Sequence, residues 1–109
     1  MRFGLPDAAI EAIRAVLRQW PQVDRAVIYG SRAKGTYTEG SDIDLTLVGG
    51  SDLTLRIRNR IATALEDLML PYRIDLSVLT DIEDPAVQGH TAQRGAILFD
   101  RKEARGAQT

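Results

Sequence analysis

Three aspartates and one Gly-Ser pair are the residues whose types and spacing could do chemistry in this chain. Asp42 and Asp44 stand two residues apart in Ser41-Asp42-Ile43-Asp44-Leu45, and Asp75 lies between Ile74 and Leu76. On a strand, period-two geometry turns residues 42 and 44 to the same face, about 7 Å apart along the chain. Two bare carboxylates that close repel each other, and a divalent cation removes the conflict. Magnesium takes one or two carboxylates and completes its octahedron with water and substrate phosphate. Two metals about 4 Å apart can clamp the attacking and leaving oxygens of a phosphoryl transfer. Asp75, on the polar side of a later strand, is the candidate third carboxylate, serving a second metal or the attacking hydroxyl.

Gly30-Ser31 directly follows the apolar run Ala26-Val27-Ile28-Tyr29. Glycine lets a backbone approach an anion closely, and the Ser31 hydroxyl can donate to a phosphate oxygen. A helical turn over residues 31–35 would aim its free N–H groups at the same anion. Arg32 or Lys34 could add positive charge near the phosphates. Each piece also has a plainer reading: a turn after a strand, a solvated strand face, an Asp75 paired with Arg73. A calcium loop is a poor fit, because Ile43 and Leu45 are apolar, and a Walker A loop fails because no Gly-Lys-Ser/Thr follows the glycine. It is the combination at this spacing that favours a metal and phosphate site.

The elements that must position these residues follow from hydrophobic periodicity. Pro6-Asp7 opens a helix with Ile10, Ile13, Leu17 and Trp20 on one face, and Pro21 stops it. Ala26 to Tyr29 is a short buried strand. Asp42 to Val48 is a strand with Asp42, Asp44 and Thr46 on its polar face and Ile43, Leu45 and Leu47 on its core face. Ser51 or Asp52 caps a second helix striped with Leu53, Ile57, Ile61, Leu65 and Leu68, which Pro71 ends. Tyr72 to Leu79 is a third strand. Asp84-Pro85 starts a last helix running to Arg94, with Gly95 as its stop and Ala96 to Phe99 as a final strand. His90 reads as a surface or half-buried residue of that helix. The expected class is α/β (α+β), with one domain over residues 1–100 and a polar, frayed tail over 101–109.

Composition narrows the function. The chain has 109 residues, enough for one domain, and a net charge of −1, so no global field attracts nucleic acid. It has no cysteine and one histidine, which excludes thiolate and His-rich zinc sites and leaves carboxylate oxygen to hold any metal. No stretch reads as a signal peptide or a membrane span. The expectation is a complete cytoplasmic protein.

A Gly-Ser pair, the interval 32–41 and then Asp-x-Asp resembles the signature of the DNA polymerase beta-like nucleotidyltransferase superfamily. Gly30-Ser31-Arg32-Ala33-Lys34-Gly35 and Ser41-Asp42-Ile43-Asp44-Leu45, in so short a chain, look like its minimal nucleotidyltransferase (MNT) branch. The resemblance spans roughly residues 8–99 and includes Arg73-Ile74-Asp75-Leu76. It implies a small mixed β-sheet with helices packed on it. Gly30 and Ser31 would hold nucleotide phosphates, Asp42 and Asp44 would bind Mg2+ (or Mn2+), and Asp75 would complete the triad. The reaction would be in-line attack of a hydroxyl on the α-phosphorus of ATP, releasing pyrophosphate. MNT proteins commonly act as antitoxins beside a HEPN-domain toxin, and several are thought to adenylylate a toxin tyrosine. The implied partner and acceptor is therefore a HEPN toxin in a hetero-oligomer, with no direct nucleic acid and no membrane. The chain has no room for the acceptor domain that polymerases and drug-modifying relatives add. Two rivals remain: a non-catalytic antitoxin that works by contact, and nucleotidyl transfer to a small molecule.

Overall fold

The computed structural model describes residues 2–79 and 95–102. Its elements run α1 (Asp7–Arg18), β1 (Val23–Tyr29), α2 (Gly30–Lys34), β2 (Ile43–Gly49), α3 (Leu55–Glu66), β3 (Ile74–Leu79) and β4 (Ala96–Asp100). The strands form one mixed sheet in the order β3-β2-β1-β4. β1 runs antiparallel to both β2 and β4, and β2 and β3 are parallel, joined by α3 as the crossover. This is the mixed sheet with packed helices expected from the sequence. The helix expected from Asp84 to Arg94, His90 included, lies outside the described residues.

One face of the sheet carries α1 and α3. Ile10, Ile13 and Leu17 of α1, Ile61 and Leu65 of α3, and Ala26, Ile28, Ile43, Leu45 and Leu47 of the sheet are buried in a single cluster. Each fully buried Leu or Ile side chain contributes roughly 1.5–3 kcal/mol. Alternation along β2 then leaves Asp44 and Thr46 half-buried on the other face, because Ile43, Leu45 and Leu47 take the core side. An arginine from each helix also takes up one carbonyl on each edge strand. Arg14 of α1 donates from Nε to the Leu98 carbonyl of β4 (2.7 Å), at the residue skipped by a register shift against β1. Arg58 of α3 donates from Nε and Nη2 to the Leu76 carbonyl of β3 (3.1 and 2.7 Å). Covered edge carbonyls are no longer templates for another chain.

Several boundaries differ from the expected ones. Pro6 is the N-cap of α1 and not a first-turn residue; its carbonyl accepts from Ala9 and Ile10. Thr54, and neither Ser51 nor Asp52, caps α3, its hydroxyl accepting from the Ile57 N–H (3.3 Å). Leu53 is buried but precedes the helix. α3 stops at Glu66, and Met69 in the left-handed region (φ 56°) turns the chain before Pro71 is reached. Arg101, placed in the tail from sequence, is anchored: Nε donates to Val23 O (2.8 Å) and Nη2 to Trp20 O (2.7 Å). At the other end, Phe3 and Gly4 both have positive φ (57° and 70°) and make a tight turn in which Arg2 and Leu5 bridge, with Leu5 fully buried.

Candidate active site

The site is built where β1 meets α2. Tyr29 ends β1 in an extended conformation, and Gly30 turns the chain at φ +72°. A Cβ at residue 30 would collide with Asp44 Oδ2, so only glycine leaves room for that carboxylate against the backbone. Ser31 follows, half-buried, in the first turn of α2. Gly35, at φ +82°, ends the helix, and the Thr36 N–H donates to the Ser31 carbonyl (3.0 Å). Lys34 is exposed on the last residue of α2, one turn from Gly30.

The carboxylates arrive on the adjoining strands. Asp44 stands in register between Tyr29 of β1 and Asp75 of β3. Residues directly opposite on paired strands point to the same face, with the strands about 4.8 Å apart. Asp44 and Asp75 are therefore side-by-side neighbours on the face opposite α1 and α3. Asp42 is exposed and lies just before β2, outside the strand. A loop hydrogen bond sets this register at its start: the Ile43 N–H donates to the Arg73 carbonyl (2.8 Å). Arg73 also lies 3.6 Å from Asp75, with both side chains largely exposed.

The donor set suits a hard cation. Asp44 and Asp75 offer carboxylate oxygen from one register position, and magnesium needs no more than one or two carboxylates when phosphate supplies the rest. The full triad is not gathered: among the described residues, no three acidic or imidazole groups stand close enough together to hold a metal ion unaided. Asp44 and Asp75 are the pair brought into register, and Asp42 lies just before the strand. Beside the pair, a cleft of about 490 Å³ is lined by Tyr29, Asp44, Thr46, Arg58, Asp75 and Ser77, within the size range of small-molecule sites. Thr46 and Ser77 share a hydroxyl hydrogen bond (2.8 Å) one step along the same face. A second cleft of about 410 Å³, between α3 and the β3 edge, shares Arg58 and Asp75 with the first but lacks Asp44.

Arg32 corrects the sequence expectation. Its side chain is 2% exposed and does not project toward solvent as a free phosphate ligand would. Nε and Nη2 donate to the Ser41 carbonyl (3.0 and 2.7 Å), and Nη1 donates to the Phe3 carbonyl (2.9 Å). The rings of Tyr37 and Tyr72 flank the guanidinium at 5.6 and 5.0 Å. Its charge braces the loop between Gly35 and Asp42 and is spent on carbonyl dipoles. Tyr29, Thr46, Arg58, Tyr72 and Ser77 were missing from the sequence-derived site. Thr46 and Ser77 were accessible to it, being two residues beyond Asp44 and Asp75 on the same faces; Arg58 carried no local signal.

A mixed sheet with a glycine turn after its first strand and facing aspartates on the next two is a nucleotidyltransferase fold. The family described as "Polymerase beta, Nucleotidyltransferase" matches residues 11–104, and the chain belongs to it. Its relatives include the "Probable protein adenylyltransferase MntA" of Haemophilus influenzae, 31% identical over 64 residues. That alignment covers 59% of this chain and 56% of the relative, so the chain spans little more than half of that protein's length. Among solved structures, a candidate minimal nucleotidyltransferase is similar at 25% identity and a TM-score of 0.61, covering 88% of this chain and 95% of that one. The complex of the tri-AMPylated Shewanella oneidensis HEPN toxin with its MNT antitoxin matches in fold, at 19% identity and a TM-score of 0.58, over 92% of this chain and 76% of that one. Among the described residues, no helix is long and apolar enough to cross a membrane.

Proposed function

We propose that this protein is a magnesium-dependent adenylyltransferase that acts in the cytoplasm as an antitoxin. It transfers AMP from ATP to a hydroxyl, most simply a tyrosine, of a HEPN-domain toxin partner. The observation that carries the reading is the register of Asp44 against Asp75, with Asp44 seated on the backbone of Gly30. The similarity to MntA and the AMPylated state of the Shewanella oneidensis toxin support the nucleotide and the acceptor.

In this reading the Gly30-Ser31 backbone and the Ser31 hydroxyl receive the triphosphate. Asp44 and Asp75, with Asp42 as a third carboxylate, are the residues that would hold magnesium. Bound magnesium supplies positive charge to the triphosphate oxygens. The acceptor hydroxyl enters on the sheet face opposite α1 and α3, and Asp75 takes its proton. Its oxygen bonds to the α-phosphorus as the bond to the bridging oxygen breaks, and pyrophosphate leaves. Lys34, exposed on the last residue of α2, meets the outer phosphates in this reading. Arg32 holds the loop and does not touch the nucleotide.

The test is incubation with ATP, magnesium and the product of the adjacent reading frame, read by intact mass. The expected result is a gain of one or more adenylyl groups on that protein, abolished by Asp44→Asn. No gain with the wild-type chain would refute transfer to that protein. Neutralisation that survives Asp44→Asn would replace catalysis with masking by contact.

A further inference from the structure

We infer that Arg32 is a positioning residue for the carboxylate site, and that its clamp makes the N-terminal turn at residues 2–5 part of the site. The inference rests on the nucleotidyltransferase reading for its activity readout alone. The guanidinium, 2% exposed, touches the segment that leads into each functional group. Arg32 itself follows Ser31 in α2. Its paired bonds to the Ser41 carbonyl hold the residue immediately before Asp42. Tyr72, flanking it at 5.0 Å, adjoins Arg73, whose carbonyl accepts from Ile43 and keeps Asp44 in register with Asp75.

The remaining anchor comes from the chain start. Nη1 donates to the Phe3 carbonyl (2.9 Å), and the next residue, Gly4, lies under the Tyr37 ring, where a Cβ would collide. Both residues of that turn have positive φ, so the carbonyl is presented by a conformation held for the purpose of the turn. The turn lies outside the span that matches the family, residues 11–104. A rigid planar fork can reach carbonyls on two separate segments at once while stacking on rings. A lysine ammonium is a point charge on a flexible stem and cannot. Outer groups that orient metal ligands typically govern about 10–100-fold in affinity or activity.

The experiment uses the full chain with Arg32→Lys and, separately, Gly4→Ala. Two quantities are measured: the magnesium concentration that half-saturates transfer, and amide hydrogen exchange along the chain. Arg32→Lys should raise the magnesium requirement by about tenfold or more. It should also speed exchange at Ser41 and Ile43 while leaving the core amides of α1 and α3 protected. Gly4→Ala should shift both in the same direction. An unchanged magnesium requirement, or exchange that rises equally in α1 and α3, overturns the inference. Where Arg32→Lys fails to fold, Tyr37→Leu, at a half-exposed ring, carries the same two readouts. A wild-type chain without transfer refutes the proposed function, and the exchange pattern then still decides the clamp.

Discussion

Replacing Gly30 by alanine separates the two roles that the structure gives this residue. Gly30 and Gly35 bracket α2 with similar backbone angles, φ +72° and +82°. An alanine at either position is forced into the left-handed region, at a cost of about 1–2 kcal/mol. For a domain of this size that lowers Tm by about 5–15 °C. The two sites differ in what the new methyl meets. Nothing lies within 4 Å of a Cβ at Gly35, whereas at Gly30 the methyl lands on Asp44 Oδ2. Either the carboxylate rotates away or β1 and β2 separate locally, adding about 1–3 kcal/mol. A displacement of about 1 Å at reacting groups can cost about a hundredfold in rate. Gly30→Ala should therefore lose transfer by about that factor, beyond its stability loss, when assayed well below both melting temperatures. Gly35→Ala should lose stability and keep transfer near the wild-type rate. Thermal unfolding and single-turnover transfer measured on both variants make the comparison. Equal loss of transfer in the two, or a Gly30→Ala protein with normal Tm and normal rate, would refute the claim that Gly30 exists to seat Asp44.

Two further outcomes are expected. Thr54→Ala removes the side-chain cap of α3, costing about 1 kcal/mol and lowering Tm by about 4–8 °C, with no change in the magnesium requirement. Arg73→Ala breaks a solvent-exposed pair at 3.6 Å; stability should move by less than about 0.5 kcal/mol. Freed of that competing cation, Asp75 should bind magnesium somewhat better, with half-saturation falling by no more than about fivefold; a rise would show that Arg73 assists the site.

The legible parts of the site were those encoded by local period. Alternation through Asp42-Ile43-Asp44-Leu45-Thr46 announces one polar and one buried face whatever the strand pairs with. Gly30 after an apolar run announces a turn. The helix stripes of Ile10, Ile13 and Leu17 and of Ile61 and Leu65 were equally plain, and all five are buried. Element ends were less so. Ser51, Asp52 and Thr54 are all competent caps, and only the path from Gly49 decides which one meets the first free N–H groups. Pro71 reads as a helix stop, yet the helix ends at Glu66 and the chain turns at Met69 before Pro71 is reached.

Arg32 was misread for a reason that applies to cations generally. Beside a Gly-Ser pair, an arginine has the right charge for phosphate, and nothing local says whether its five donors will be spent elsewhere. Phe3, Ser41, Tyr37 and Tyr72, scattered across the chain, supply that answer.

From its order of residues alone, then, this chain specified its strands, its polar strand faces, its glycine turn and the acidic groups of the candidate site. These are consequences of side-chain alternation and backbone freedom within a few neighbouring residues. The pairing of Asp44 with Asp75, the seat of Asp44 on Gly30 and the burial of Arg32 came only with the folded sheet. Each depends on which segment lies beside which, and that is set by packing between residues far apart in the chain.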